Sequence, residues 1–227
     1  MKAVMINGWG QVHDSLSLAL PREFNNVSHL DYATFSGWDA FLENLPKRQR
    51  VDLLIGWSLG GQIAARLVEK RIFLPKLLVL IATPFQFVAD EKIPYAMNPV
   101  MLHTFKSSFH LIPGETLKRF ALMIAQHDSN MKKIVENLGI EGDSGHHWLE
   151  WLDEIGNFTC ANMDFLGFPK TLIIHGDGDM VVDSRQAALF AEAIAGARLK
   201  IFKACGHAPH LHDPAKVKAL IRKAAGL

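Results

Sequence analysis

Short apolar runs alternate with helical patterns along this chain of 227 residues. The runs are nearly continuous in valine, isoleucine and leucine, which is typical of strands buried on both faces of a parallel sheet. Strands that alternate with helices indicate βαβ units. The predicted strands are Lys2–Ile6, Val51–Ile55, Leu77–Ala82, Thr171–His175 and Arg198–Phe202, with His29–Ala33 as a weaker candidate. We therefore expect an α/β fold with a mostly parallel sheet of about six strands and helices on both faces.

Helical patterns lie between these runs and in one long stretch that interrupts them. The four patterns between strands are Trp38–Leu45, Leu59–Lys70, Ser184–Ala195 and Pro214–Ala225, the last with Asp213 as its N-cap. Residues 84–169 contain no strong strand, several prolines and helical patterns at Glu115–Gln126 and Asn130–Leu138. We interpret 84–169 as a helical lid insertion, and 1–83 with 170–227 as the core domain.

Composition excludes several classes of protein. Hydrophobic residues make up 49% and charged residues 21%, which is typical of a globular chain and not of a disordered one. The 24 Lys and Arg nearly balance the 23 Asp and Glu, which excludes a globally basic nucleic-acid binder. Two cysteines make no disulfide scaffold, and no run is long enough for a signal or membrane segment. We expect a cytoplasmic protein that is a monomer.

The most informative motif is Gly56-Trp57-Ser58-Leu59-Gly60, followed by Gly61. It fits G-x-S-x-G and lies where an apolar strand ends and a helix begins. A serine on such a sharp turn is held above the sheet, and the glycines admit the tight backbone. Ser58 is therefore the predicted nucleophile, and the alternative is an ordinary glycine-rich turn.

A serine hydroxyl needs a base within reach, and the base needs an acid that orients it. The strand Thr171–His175 is followed by a turn that contains Asp177, Asp179 and Asp183. The last strand is followed by Gly206-His207. The order Ser, Asp, His suits this architecture. We select Asp179, which lies far enough into its loop to turn back, and His207, the first histidine after the last strand.

An oxyanion hole needs a donor from the residue after the nucleophile and a second from a loop after an early strand. The amides of Leu59 and Trp9 fit these places. The aromatic residues predicted to line an apolar acyl pocket are Trp9, Trp57, Phe105, Phe109 and Phe120. We expect no metal and no organic cofactor, although a metal site at His207, His210 and His212 is an open alternative.

These motifs resemble the α/β-hydrolase superfamily and, within it, the BioH family of pimeloyl-[acyl-carrier protein] methyl ester esterases. The first three matches, found broadly in the superfamily, are the Gly8-Trp9-Gly10 turn, the serine motif and the loop from Gly176 to Val182. Trp57 and the segment Gly206-His207-Ala208-Pro209 are more particular to BioH. Asn7 stands where the family usually has histidine, and Glu115 where it tends to be basic.

The resemblance implies an esterase that removes the methyl group from pimeloyl-[acyl-carrier protein] methyl ester in biotin biosynthesis, with Phe120 lining the acyl pocket and Arg119 facing the carrier protein. An acidic carrier would meet basic residues of the insertion, namely Lys106, Lys118, Arg119, Lys132 and Lys133. The main alternative is a carboxylesterase, lactonase or thioesterase for small free acyl compounds. Two others are a ligand receptor or scaffold without catalysis and a metal-dependent hydrolase.

Overall fold

A six-stranded sheet forms the centre of the molecule. The computed structural model describes residues 1–11, 14–138 and 146–227. All strand pairs are parallel, in the order β2-β1-β3-β4-β5-β6. The strands are β1 (Lys2–Ile6), β2 (Asn26–His29), β3 (Gln49–Trp57), β4 (Phe73–Ile81), β5 (Lys170–Gly176) and β6 (Arg198–Phe202). The predicted fold class is confirmed, with a sheet that is parallel throughout.

The weakest strand prediction was wrong in position. The sheet uses Asn26–His29, whereas the sequence pattern favoured His29–Ala33. All four residues of β2 are exposed, because this strand forms the edge of the sheet. An exposed edge strand has no hydrophobic pattern to reveal it. Past the strand, the Asp31 carboxylate accepts the Ala33 N–H at 3.1 Å, which turns the chain away from the sheet.

Five helices accompany the strands of the predicted core: α1 (Trp38–Glu43), α2 (Leu59–Glu69), α7 (Arg185–Ala193), α8 (Pro209–His212) and α9 (Pro214–Ala225). The four predicted ones agree with the structure to within about two residues at each end, as expected for helix termini. The Asp213 side chain accepts the Lys216 N–H at 2.9 Å, which confirms the predicted N-cap. The short helix α8 was not predicted, and it contains two of the three histidines of the alternative metal site.

Between β4 and β5 the structure describes four helices: α3 (Pro99–Leu111), α4 (Pro113–Ala125), α5 (Met131–Asn137) and α6 (Trp148–Asn157). The sequence analysis predicted α4 and α5 and missed α3 and α6. The start of α3 was readable, since Asn98 caps it and Pro99 follows. The pattern of α6 was also present, because its buried residues recur at helical spacing.

The sheet order reverses at β1, which places a crevice between the carboxyl ends of β1 and β3. From β1 the chain moves to β2 on one side, and β3 and the later strands extend to the other side. Right-handed crossovers then place the two sets of connections on opposite faces. Ile6, the last residue of β1, pairs with Gly56, the residue before the end of β3. The loops after them are therefore neighbours at the position where open α/β sheets bind ligands.

None of the helices in the described residues combines the length and the hydrophobicity that a membrane-crossing helix requires.

Candidate active site

Ser58 occupies a strained backbone turn between β3 and α2. Its φ is 55° and its ψ is −124°, a conformation that side chains other than glycine rarely adopt. Its N–H donates to Ile81 O at 2.9 Å, which anchors the turn to β4. A Cβ at Gly56 would lie 2.3 Å from Gly60 O, and a Cβ at Gly60 would lie 2.2 Å from Ile6 O. Only glycine fits these positions, as the motif predicted.

The predicted acid and base meet at the carboxyl ends of β5 and β6. His207 Nδ1 lies 2.7 Å from Asp179 Oδ2, and both side chains are buried. The loops are brought together because Gly176 and Phe202 pair at the ends of their strands and Gly178 N donates to Cys205 O. This distance is that of a charge-assisted hydrogen bond.

Four donors surround the Asp179 carboxylate. Oδ1 accepts the N–H groups of Val181 and Val182 at 2.8 and 2.9 Å. Oδ2 lies 2.7 Å from His207 Nδ1 and 2.9 Å from His175 Nε2. Burial raises the pKa of Asp179, but the charge of His207 and the hydrogen bonds from His175 and His207 outweigh burial and hold the pKa below its ordinary value. Asp179 is therefore ionised at neutral pH.

His175 is a site residue that the sequence analysis missed. It is fully buried in β5, and its Nε2 also lies 2.9 Å from Val182 O. An imidazole between the acid and the backbone of its loop fixes the orientation of the carboxylate. The sequence contained no signal for this role, because a histidine near the end of a strand is equally compatible with ordinary core packing.

The remaining ring nitrogen of His207 is available. Among the described residues, Nε2 has no hydrogen-bond partner and is buried. No hydrogen bond joins it to the Ser58 hydroxyl within that same part of the chain. Such contacts are often long before substrate binds. Trp57, the residue before Ser58, connects the serine turn to the His207 loop, because its Nε1 donates to His207 O at 2.8 Å.

The position of Trp57 corrects the prediction that it lines the acyl pocket. The indole is almost fully buried and packs against His207 and His210, with ring centroids 5.7 and 4.7 Å away. It is absent from the cavity beside Ser58. Trp57 is the last residue of β3, and its side chain extends beneath the His207 loop. It therefore packs against the predicted base and is not part of the cavity lining among the described residues.

The two predicted oxyanion donors lie on either side of the crevice. Leu59 is the first residue of α2, so its N–H has no acceptor within the helix. Trp9 follows β1, and its indole Nε1 donates to Trp148 O of α6 at 2.7 Å. Rings of Phe105, Phe109, Phe120 and Trp148 surround the indole edge-on, with centroids 5.0 to 5.8 Å away. The oxyanion role of both amides remains a prediction.

An apolar cavity opens beside Ser58. Together with the solvent at its mouth it encloses about 590 Å³ of empty space. Its lining comes from the crevice and from the helices between β4 and β5: Trp9, Ser58, Phe87, Met97, Met101, Leu102, Phe105, Phe120, Met123, Leu152, Ile155 and Val181. Within the described part of the chain, Ser58 supplies the only hydroxyl of this lining. Phe109 contacts Trp9 but does not line the cavity.

A second groove adjoins this cavity between α3 and α4. The two share Met101, Phe105, Phe120 and Met123. The groove adds Val100 and four polar residues, which are Thr104, Ser108, Thr116 and Arg119. Arg119 is exposed and forms an ion pair with Glu115 at 3.4 Å. Phe120 and Arg119 therefore face inward and outward from adjacent positions of α4.

The three histidines of the alternative metal site have different partners. His207 contacts Asp179, His210 Nε2 lies 3.0 Å from the Ser15 hydroxyl, and His212 Nδ1 lies 2.9 Å from Asp128 Oδ1. In the described part of the chain they form no common ligand cluster. One other group, Asp128, Cys205 and His212, has ligand atoms within 4.8 Å of one another. Burial, and then the charge of Asp128, raise the pKa of the Cys205 thiol, so it is a poor ligand and a poor nucleophile.

The buried His210 makes stability depend on pH. Burial, and then the charge of His207, lower the pKa of His210 to about 3. The unfolded chain protonates this histidine near pH 6.5, so stability is complete above that pH and is lost as the pH falls toward 3. We expect His210 to account for a loss of about 2 kcal/mol in unfolding free energy between pH 7 and pH 5.

Urea unfolding of the wild type and of His210→Gln at both pH values measures this contribution. The variant is expected to lose less stability on acidification than the wild type, whatever its stability at pH 7. His103→Gln, on an exposed position of α3, is the matched control. An identical loss in the wild type and His210→Gln would contradict the prediction.

Sequence comparison agrees with this geometry. Residues 4–220 match the model of the alpha/beta hydrolase family, and the chain belongs to that family. Among its curated relatives, the pimeloyl-[acyl-carrier protein] methyl ester esterase of Aromatoleum aromaticum is 27% identical, over 96% of this chain and 95% of the relative. The enzyme of the same name from Nitrosomonas europaea is 28% identical, over 93% and 90%. The resemblance to BioH and the class of carboxylic ester hydrolase are confirmed.

Solved structures support the fold alone. A bromoperoxidase from Bacillus anthracis superposes with a TM-score of 0.81 at 20% identity, covering 100% of this chain and 92% of its own. An esterase from Exiguobacterium antarcticum gives a TM-score of 0.80, also at 20% identity and with the same coverage.

Proposed function

We propose that this chain is a serine esterase that hydrolyses pimeloyl-[acyl-carrier protein] methyl ester through Ser58, His207 and Asp179. The observation that carries the proposal is the strained Ser58 turn, which opens into an apolar cavity at the same sheet edge as the hydrogen-bonded His207 and Asp179. The substrate is proposed from the names of the relatives, which match almost the whole chain. The proposed enzyme is a cytoplasmic monomer, and residues 84–169 act as its lid.

In the proposed acylation step, His207 Nε2 takes the proton of the Ser58 hydroxyl as Oγ attacks the ester carbonyl. Asp179 holds Nδ1 and stabilises the imidazolium that forms. The N–H groups of Trp9 and Leu59 donate to the oxyanion. The tetrahedral intermediate then collapses, the bond to the methoxy oxygen breaks, and His207 returns the proton so that methanol leaves.

In the proposed deacylation step, a water molecule gives its proton to His207 as its oxygen attacks the acyl carbonyl. The bond to Ser58 Oγ breaks, and His207 returns the proton to that oxygen. The product is the free carboxylic acid. These steps use neither a metal nor an organic cofactor.

The cavity and the adjoining groove suit an ester at one end of an acyl chain and a bulky group at the other. The methyl ester would lie at Ser58, and the methylene chain would contact Phe105, Phe120 and Met123. The far end would leave through the groove beside Thr116 and Arg119. An apolar lining binds methylene groups through burial, at about 0.8 kcal/mol for each.

The surface around the groove would receive the carrier protein. Three of the five basic residues already have acidic partners, since Lys106, Arg119 and Lys132 contact Asp153, Glu115 and Glu136. Lys118 and Lys133 are exposed, and neither forms an ion pair with a described residue. The positive field is therefore weaker than the sequence count suggested. Arg119 lines the groove, and Lys118 is its neighbour in α4.

Charge reversal at Lys118 and Arg119 tests the carrier protein as partner. We expect Lys118→Glu with Arg119→Glu to lower kcat/KM for the carrier-bound methyl ester about tenfold, because surface charges steer association. Hydrolysis of p-nitrophenyl butyrate should stay nearly unchanged. The matched control is Lys70→Glu with Arg71→Glu, an adjacent exposed basic pair at the other end of the sheet.

Methanol release from the carrier-bound ester and from free monomethyl pimelate decides the substrate. Faster turnover of the carrier-bound ester, reduced by reversal at Lys118 and Arg119, supports the proposal. Equal kcat/KM for both esters, with no effect of charge reversal, would contradict the carrier protein and favour an esterase for small free acyl compounds.

A further inference from the structure

The segment after α4 lies directly against the loop that carries His207. The N–H of His207 donates to Ile124 O in the last turn of α4 at 2.9 Å, and Ser129 N donates to Ala204 O at 3.0 Å. The backbone of the proposed base is thus hydrogen-bonded to the insertion and not only to the sheet. A displacement of α4 would therefore disturb the hydrogen bond between the His207 N–H and Ile124 O.

Asp128 strengthens this connection from a buried position. Its side chain is fully buried, and Oδ2 accepts the Gly206 N–H at 2.9 Å. Oδ1 accepts the Asn130 N–H at 2.7 Å and lies 2.9 Å from His212 Nδ1. One carboxylate therefore contacts Gly206 in the His207 loop, His212 at the end of α8 and Asn130 in its own loop.

The packing around Asp128 leaves little room for adjustment. A Cβ at Gly206 would lie 2.7 Å from Ile124 O and 3.0 Å from Gln126 O. A Cβ at Gly178, one residue before Asp179, would lie 3.0 Å from the Cβ of His127. His127 itself has a φ of 62°, which bends the chain between the two loops. The segment 126–130 is thus packed between the loop of the proposed base and the loop of the proposed acid.

From these contacts we infer that Asp128 is a positioning residue, which couples helix α4 of the insertion to His207 and holds the base in its productive place. The inference rests on the proposed role of His207. Because α4 also carries Phe120 and Arg119, a substrate that moves α4 would move the base loop with it. The alternative use of Asp128 as a metal ligand with Cys205 and His212 is disfavoured, since both carboxylate oxygens already accept backbone N–H groups and the thiol is buried.

The test compares Asp128→Asn and Asp128→Ala with the wild type, using p-nitrophenyl butyrate. We expect kcat to fall ~10- to 100-fold, because small displacements of a catalytic group have effects of this size, while KM stays nearly constant. Asparagine keeps one acceptor oxygen, so its loss should be smaller than that of alanine. The rate at which a fluorophosphonate labels Ser58 should fall in parallel.

The matched control is Asp90→Asn. The Asp90 carboxylate also accepts two backbone N–H groups in the insertion, from Lys92 and Ile93, and within the described residues no hydrogen bond joins it to the His207 loop. It should keep wild-type kcat. The proton resonance of His207 Nδ1 provides a second readout, which should shift in Asp128→Asn and stay in place in Asp90→Asn.

Wild-type kcat in Asp128→Asn, or a loss confined to KM with an unchanged Nδ1 resonance, would overturn the inference. If neither Asp128 variant folds, His212→Asn removes a single contact of the carboxylate and should give a smaller loss of kcat with the same resonance shift; wild-type values there would also overturn it. Failure of the proposed function looks different, because Ser58→Ala would then remain as active as the wild type.

Discussion

Replacement of Ser58 by alanine is expected to lower kcat for ester hydrolysis about 10⁶-fold. Without the hydroxyl, His207 has no nucleophile to activate, and only binding and the oxyanion donors remain. Alanine is smaller than serine and fits the turn as well as any residue other than glycine, so the fold should survive. Initial rates with p-nitrophenyl butyrate and labelling by a fluorophosphonate measure the loss.

Ser36→Ala, at an exposed position before α1, is the control for substitution of a serine as such. It should hydrolyse the ester and react with the phosphonate like the wild type. Residual labelling of folded Ser58→Ala would show that another residue is the nucleophile. Cys205 is a poor candidate for that role, because burial raises the pKa of its thiol.

Asp179→Asn is expected to lower kcat about 10⁴-fold with little change in KM. The amide cannot stabilise the imidazolium, and its NH₂ group can favour the tautomer of His207 that carries the proton on Nε2. That tautomer cannot accept the proton of Ser58. The two neighbouring aspartates provide matched controls, since Asp177 forms an exposed ion pair with Lys203 and Asp183 one with Arg185.

Asp177→Asn and Asp183→Asn should change kcat less than about fivefold, because exposed ion pairs contribute at most about 1 kcal/mol. Circular dichroism and thermal unfolding establish that all three variants fold. A large loss in Asp183→Asn together with near wild-type activity in Asp179→Asn would identify a different acid. The sequence alone could not make this choice with certainty, since all three aspartates follow the same strand.

Features that depend on burial and local pattern were predicted more accurately than features that depend on contacts between distant parts of the chain. The buried strands were located because residues covered on both faces must be apolar along their whole length. The edge strand β2 was misplaced because its exposed side chains obey no such requirement. Helices α3 and α6 were missed, although the Asn98-Pro99 start of one and the buried tryptophans of the other were visible.

The candidate active site also combines local features that could be predicted with long-range contacts that could not. The strained turn at Ser58 could be predicted locally, because it requires glycine at Gly56 and Gly60. Trp57, directly beside it, was assigned to the pocket and in fact supports His207. The direction of a side chain at the end of a strand depends on what packs above the sheet, and that packing comes from residues 150 positions away in the chain.

The sequence by itself determined the fold class, the strained serine turn and the order of the proposed nucleophile, acid and base. These depend on local requirements: continuous apolar runs, glycines at a tight turn and polar residues after strands. Only the tertiary structure decided that His175 braces Asp179, that His210 lies buried against Trp57 and that Asp128 connects the segment after α4 to the His207 loop. Each of these is a hydrogen bond or ring contact whose geometry arises only when the strands, loops and helices pack together.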